Sequence, residues 1–268
     1  MKKLAVAVIH GMGSQNIHFA DEMIMELNER LSTQNLSPED VCWKSIYWAD
    51  ILENREMEYL DSAKKYNLDF IRLRRFVLTA FGDATAYQKV LSEKNTTYEV
   101  IHARVRAKIK ELYDELNKQD CPLVVMAHSL GGHIMSNYIW DVQVLNDADG
   151  DLSEFERMKY LAGIVTFGCN IPLFTFAYEK IVPIKFPGSG LCDNLKSKSR
   201  WLNFYDPDDV LGYPLKAIPA YANLVERDIA INVGGLLTSW NPACHNDYWA
   251  DNDFTKPVAE FLGTFLKA

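Results

Sequence analysis

The segment from Leu123 to Gly132, L-V-V-M-A-H-S-L-G-G, constrains this chain more than any other. Its first four residues are apolar and valine-rich, the pattern of a strand buried on both faces. Ile134, Met135, Tyr138, Ile139, Val142 and Leu145 then recur at helical spacing, so Ala127 to Gly131 must turn sharply. Strand, tight turn around a central serine, then helix is the context of a nucleophile elbow. The backbone is strained at such a serine and the strand and helix approach closely, so the flanking residues must be small. Ala127 and Gly131 meet that demand. A hydroxyl held there projects above the sheet beside a helix N-terminus, whose dipole favours negative charge. Ser129 is therefore the candidate nucleophile.

The rest of the chain repeats strand-then-helix. Leu4 to Ile9 is a short apolar run that reads as a first, central strand. It follows Met1-Lys2-Lys3, but its six apolar residues fall short of the roughly 7–15 of a secretory h-region. A helix is expected over about 17–33, a second strand over Val41–Trp48, and helical pieces near 51–66 and 70–81. Tyr98, Ile101, Val105, Ile109, Leu112 and Leu116 mark a long amphipathic helix, its arginines and lysines forming a solvated face. Further strands are expected at 161–167, 201–205 and 229–233, and a last helix at about 255–266. Strands alternating with helices imply an α/β fold, a mostly parallel central sheet with helices on both faces. With 268 residues, 48% of them hydrophobic, residues 1–268 suit a single domain, with 49–95 and 168–198 as cap or insertion segments. No apolar run approaches the roughly 20 residues of a transmembrane helix. A net charge of −8 argues against nucleic acid as a partner. Five scattered cysteines without a CxxC pair fit free thiols in a reducing compartment, and so a cytoplasmic location, and they offer no metal site.

A serine hydroxyl needs a positioned base. Of six histidines, His10 and His128 sit on tight turns with local duties, and His133 starts the helix after Ser129 and faces away. His18 and His102 lie on helices as surface or capping residues. His245 lies in a late loop, W-N-P-A-C-H-N-D-Y-W, between the last strand and the last helix, where a base can reach over the strand ends. The carboxylate that orients such a base is sought in Asp206-Pro207-Asp208-Asp209-Val210, where any of the three acids could serve. The order serine, acid, histidine along the chain is that of an α/β-hydrolase. Oxyanion donors are expected from the Leu130 N–H and from the loop His10-Gly11-Met12-Gly13. That loop lacks the third glycine of a dinucleotide fingerprint and the Lys-Ser/Thr of a P-loop, and nothing calls for a cofactor. Asp147-Ala148-Asp149-Gly150-Asp151 imitates the start of a calcium loop, but Leu152 and Met158 stand where the glycine and the bidentate glutamate belong.

Together V-I-H-G-M-G at 8–13, A-H-S-L-G-G at 127–132, Asp208-Asp209-Val210 followed by Pro214, and H-N-D-Y-W at 245–249 resemble the lipase and serine-esterase branch of the α/β-hydrolases over nearly the whole chain. The resemblance implies Ser129 as nucleophile, His245 as base and Met12 as the second oxyanion donor. It also selects Asp208, two residues before a valine, over Asp206 and Asp209. Ala127 replaces the commoner glycine, and the first antiparallel strands of that family lack a counterpart, which implies an N-terminally shortened sheet. The expected activity is hydrolysis of a carboxylic ester of a small-molecule or lipid-like acyl substrate. Acyl transfer, thioester or amide cleavage by the same groups, and a non-catalytic binding module, are the alternatives.

Overall fold

The structure, a computed structural model, describes residues 2–13, 15–89, 96–144, 152–234 and 242–267. The calcium-loop candidate at 147–151 lies outside the described residues, as do 90–95 of the first insertion candidate.

Among the described residues six strands form one parallel sheet: β1 (Leu4–Ile9), β2 (Val41–Ile46), β3 (Leu123–His128), β4 (Leu161–Phe167), β5 (Arg200–Tyr205) and β6 (Arg227–Ala230), in the order β2-β1-β3-β4-β5-β6. β1, β3 and β4 are buried along their whole length. Their apolar runs are continuous rather than alternating because both faces are covered. On one face Leu4, Val6, Val8, Val124 and Met126 pack under α1 (Asp21–Thr33) and the C-terminal helix (Asn252–Leu266). On the other, Ala5, Ala7, Ile9, Val125 and Ala127 meet two helices, Thr97–Glu115 and Leu130–Val144. This is an α/β fold with a helical layer on each side.

The intervening helices, numbered in chain order, are α2 (Asp50–Ala63), α3 (Ile71–Ala86), α4 (Thr97–Glu115), α5 (Leu130–Val144), α6 (Ile171–Thr175), α7 (Asp193–Lys198) and α8 (Asn252–Leu266). α4 opens on a capping box in which the Thr96 side chain and Glu99 satisfy each other's backbone N–H. The basic residues of α4 meet acids nearby: Arg104 pairs with Asp50 and Lys108 with Glu111.

The chain runs from β1 outward to β2 and then returns across the sheet to β3. The order therefore reverses between β1 and β3, and in open parallel sheets the crevice at the carboxyl ends of such strands is where ligands bind. His10 leaves one of these two ends and Ser129 the other.

Several boundaries differ from the sequence reading. β2 stops at Ile46 because the Trp48 N–H donates to the His10 ring, at 3.0 Å, rather than to a strand. The last strand is Arg227–Ala230 instead of 229–233, since the Asp206 carboxylate takes the Val233 N–H, at 2.7 Å, out of the ladder. His102 is not a surface residue: its ring is packed among Tyr87, Tyr98 and Tyr138. All five cysteines are free, and Cys192 is exposed.

Candidate active site

β3 delivers Ser129 and α5 begins on the next residue. Ser129 has φ +51°, a left-handed conformation that costs a non-glycine residue on the order of 1–2 kcal/mol. Two backbone bonds hold it there: the Ser129 N–H donates to the Phe167 carbonyl at the end of β4, and the Gly132 N–H donates to the Ser129 carbonyl. The neighbours must be small for measurable reasons. A Cβ on Gly131 would stand 2.5 Å from the His10 carbonyl oxygen, and one on Gly11 would stand 2.5 Å from the Cβ of Ser129. The loop after β1 thus lies directly against the serine.

His245 arrives in a short 3-10 turn, Pro242–Asn246. Its Nε2 is 2.8 Å from the Ser129 Oγ, and its Nδ1 is 2.9 and 2.8 Å from the two carboxylate oxygens of Asp209. Serine, imidazole and carboxylate form one hydrogen-bonded chain. Ser129 has no exposed surface and His245 has 6%.

The acid beside His245 is Asp209 and not Asp208. The loop after β5 explains why. The Asp206 carboxylate accepts the Asp208 N–H at 2.8 Å and the Val233 N–H at 2.7 Å, and the Asp209 N–H donates to the Asp206 carbonyl. This tight turn throws Asp208 outward into solvent and points Asp209 inward. Asp206 is buried too, but as the peg of the turn. Burial pushes the Asp209 carboxyl upward, yet His245, the Leu211 N–H and the Tyr248 hydroxyl together hold it below the usual carboxylate range.

Tyr248 belongs to the site as well. Its hydroxyl donates to Asp209 Oδ2 at 2.9 Å and accepts the Asp206 N–H at 2.9 Å, so one oxygen braces the acid and its turn. The sequence held a signal for it, a tyrosine three residues after His245, near one turn of a tight helix.

The other histidines near Ser129 have structural partners. His128 is 2.8 Å from the His245 carbonyl through Nε2, which must carry the proton because a carbonyl only accepts. It thereby ties down the backbone of His245. The His10 Nδ1 donates to the Gly11 carbonyl at 2.7 Å, its Nε2 accepts the Trp48 N–H, and its ring stacks on Trp48. Burial lowers His10 to about 4 and His128 to about 3, so both are neutral near pH 7. His133 stacks on Phe174 with the centroids 4.0 Å apart.

Leu130 follows the serine at the first position of α5, and Met12 follows Gly11, on which an added Cβ would meet Ser129. Neither backbone N–H meets an acceptor among the described residues.

No family model matches the sequence, and no curated protein does. Similar solved structures exist. A protein from Xanthomonas campestris pv. campestris, assigned as a hydrolase of the alpha/beta superfamily, is 10% identical with a TM-score of 0.39, covering 96% of this chain and 98% of its own. The esterase domain of a Rhodothermus marinus protein is 13% identical with a TM-score of 0.39, over 97% of this chain and 84% of its own. A Thermus thermophilus protein is 10% identical with a TM-score of 0.43, over 100% of this chain and 90% of its own.

Proposed function

We propose that this chain is a serine hydrolase of the α/β-hydrolase type that cleaves a carboxylic ester through an acyl-enzyme on Ser129. The observation that carries the reading is the continuous chain from the Ser129 Oγ through His245 to Asp209, anchored on a serine with φ +51°. Ser129 attacks the ester carbonyl while His245 Nε2 takes its proton. Asp209 holds the imidazole with Nδ1 protonated and stabilises the imidazolium that forms. The Met12 and Leu130 N–H groups receive the oxyanion. His245 then returns the proton to the leaving alcohol. Water, activated by the same imidazole, attacks the acyl carbonyl and releases the acid and the free serine.

We read residues 1–268 as one domain in which 49–95 and 168–198 are insertions that wall the acyl site. In support, these segments expose large apolar side chains, among them Phe70, Phe81, Leu173 and Phe176. No helix among the described residues is long and apolar enough to cross a membrane.

A fluorophosphonate probe should label the folded protein at Ser129, and hydrolysis of a series of esters of graded acyl length should disappear in Ser129→Ala. Absence of labelling in folded wild-type protein overturns the reading. Product analysis with a competing alcohol separates hydrolysis from acyl transfer.

A further inference from the structure

Helix α3 (Ile71–Ala86) carries polar residues on its buried side. It leaves Ile71, Val77 and Phe81 exposed, and it buries two polar residues, Thr79 and Asp83, one turn apart. A buried carboxylate without a partner costs far more than an exposed phenylalanine, so the polar face must be answered by something. It is answered by the loop after β1. The Gly13 N–H donates to Asp83 Oδ2 at 2.7 Å, and a Cβ on Gly13 would stand 3.9 Å from the Thr79 Oγ1. Gly13 has φ +85°, a conformation that turns its N–H toward the helix and that few side chains tolerate. Asp83 is 3% exposed, and burial, opposed by the Gly13 N–H and reinforced by Glu56, pushes its carboxyl up to about 7. The bond thus lies in a dry place, where a hydrogen bond fixes geometry well.

The consequence falls on Met12. On one side of it Gly11 is pressed against Ser129, and on the other Gly13 is tied to Asp83. With both neighbours held, the Met12 peptide has less room to turn. The same bond also removes the Gly13 N–H from competition as an oxyanion donor.

We propose that Asp83 is a positioning residue, holding the loop through Gly13 so that the Met12 N–H faces the ester oxygen as charge develops on it. This rests on the ester-hydrolase reading above. It makes α3 a working part of the oxyanion site and not merely a cover over it.

The test compares Asp83→Ala, Asp83→Ser and Asp83→Asn in the full chain. Alanine has no acceptor and the serine hydroxyl stands too far back, whereas asparagine keeps a side-chain oxygen at the right reach. Loss of one oxyanion donor is expected to lower kcat about 100-fold in the alanine and serine variants, with KM within about threefold of wild type. Affinity for an alkylboronic acid, which forms a tetrahedral adduct with the serine, should fall by the same factor as kcat/KM. Asp83→Asn should keep kcat within about threefold. The serine variant carries the comparison where the alanine variant does not fold. If wild type turns over esters and either folded variant, alanine or serine, keeps its kcat and its boronate affinity, the proposal is wrong and the hydrolase reading survives. If wild type neither turns over esters nor reacts with fluorophosphonate, the hydrolase reading itself has failed.

Discussion

Among the described residues, two imidazole–carboxylate pairs lie largely inside the molecule, with opposite surroundings. His102 Nδ1 lies 3.3 Å from Asp141 across α4 and α5, and His245 Nδ1 lies 2.8 Å from Asp209 at the carboxyl ends of the strands. In the first pair every reach is answered. Tyr98 and Lys89 donate to Asp141, and the Tyr87 hydroxyl lies 2.6 Å from the remaining ring nitrogen of His102. In the second, the remaining nitrogen meets a serine on a strained turn. The comparison teaches that a histidine beside an aspartate is not in itself a chemical site. What distinguishes the pair at His245 is what the far nitrogen faces and where the sheet puts it.

The largest expected contrast is between Ser129→Ala and His102→Asn. The first should lower ester turnover by at least about 10⁴-fold with little change in folding. The second should leave turnover within about threefold and cost on the order of 1–3 kcal/mol of stability, read from the urea midpoint, because buried partners lose their bonds. Asp209→Asn should come next, at about 10⁴-fold in kcat, through loss of the correct tautomer of His245. Asp141→Asn should again cost stability alone; a comparable loss of turnover there would erase the distinction between the pairs.

Acid sharpens the comparison by acting on both regions. His10, His128 and His133 are held by burial at about 4, 3 and 3, below their unfolded value of 6.5, and burial lowers His102 as well. The unfolded chain therefore binds more protons than the folded one as pH falls below about 6.5. Stability should decline from there toward pH 3–4, by on the order of 3 kcal/mol for each of the first three histidines. Asp209 and Asp141, both held low by their partners, add a further loss as pH falls below the ordinary aspartate value. Urea midpoints measured from pH 7.5 to 4 check the direction: a flat or rising profile would show that these rings are not buried neutral.

A smaller effect is expected from Tyr248→Phe, which removes the bond to Asp209 and the acceptor of the Asp206 N–H while keeping the ring. Kcat should drop roughly 10-fold with KM unchanged, in keeping with one charge-assisted hydrogen bond. The smallest belongs to Asp208→Asn, an exposed change that should leave turnover within about twofold. If it proved as damaging as Asp209→Asn, the orientation of the 206–209 turn would be wrong.

Where the chain is regular, the sequence by itself determined the answer. Apolar runs at 4–9, 123–126 and 161–167 specify strands covered on both faces, and residues spaced by three and four specify α4 and α5, because a repeating backbone makes residue number a reliable guide to direction. The elbow at Ser129 was legible for a related reason: strand, small residues and helix leave one geometry for the serine. The late histidine was legible from its place between the last strand and the last helix. What the tertiary structure decided lies in the irregular segments. Among Asp206, Asp208 and Asp209 no period says which side faces in. The choice is made by the N–H of Val233 and the hydroxyl of Tyr248, groups more than twenty residues away that pin the turn from outside. The Asp83–Gly13 bond is of the same kind, joining a residue of α3 to a loop 70 positions earlier, a partnership that no spacing along the chain announces.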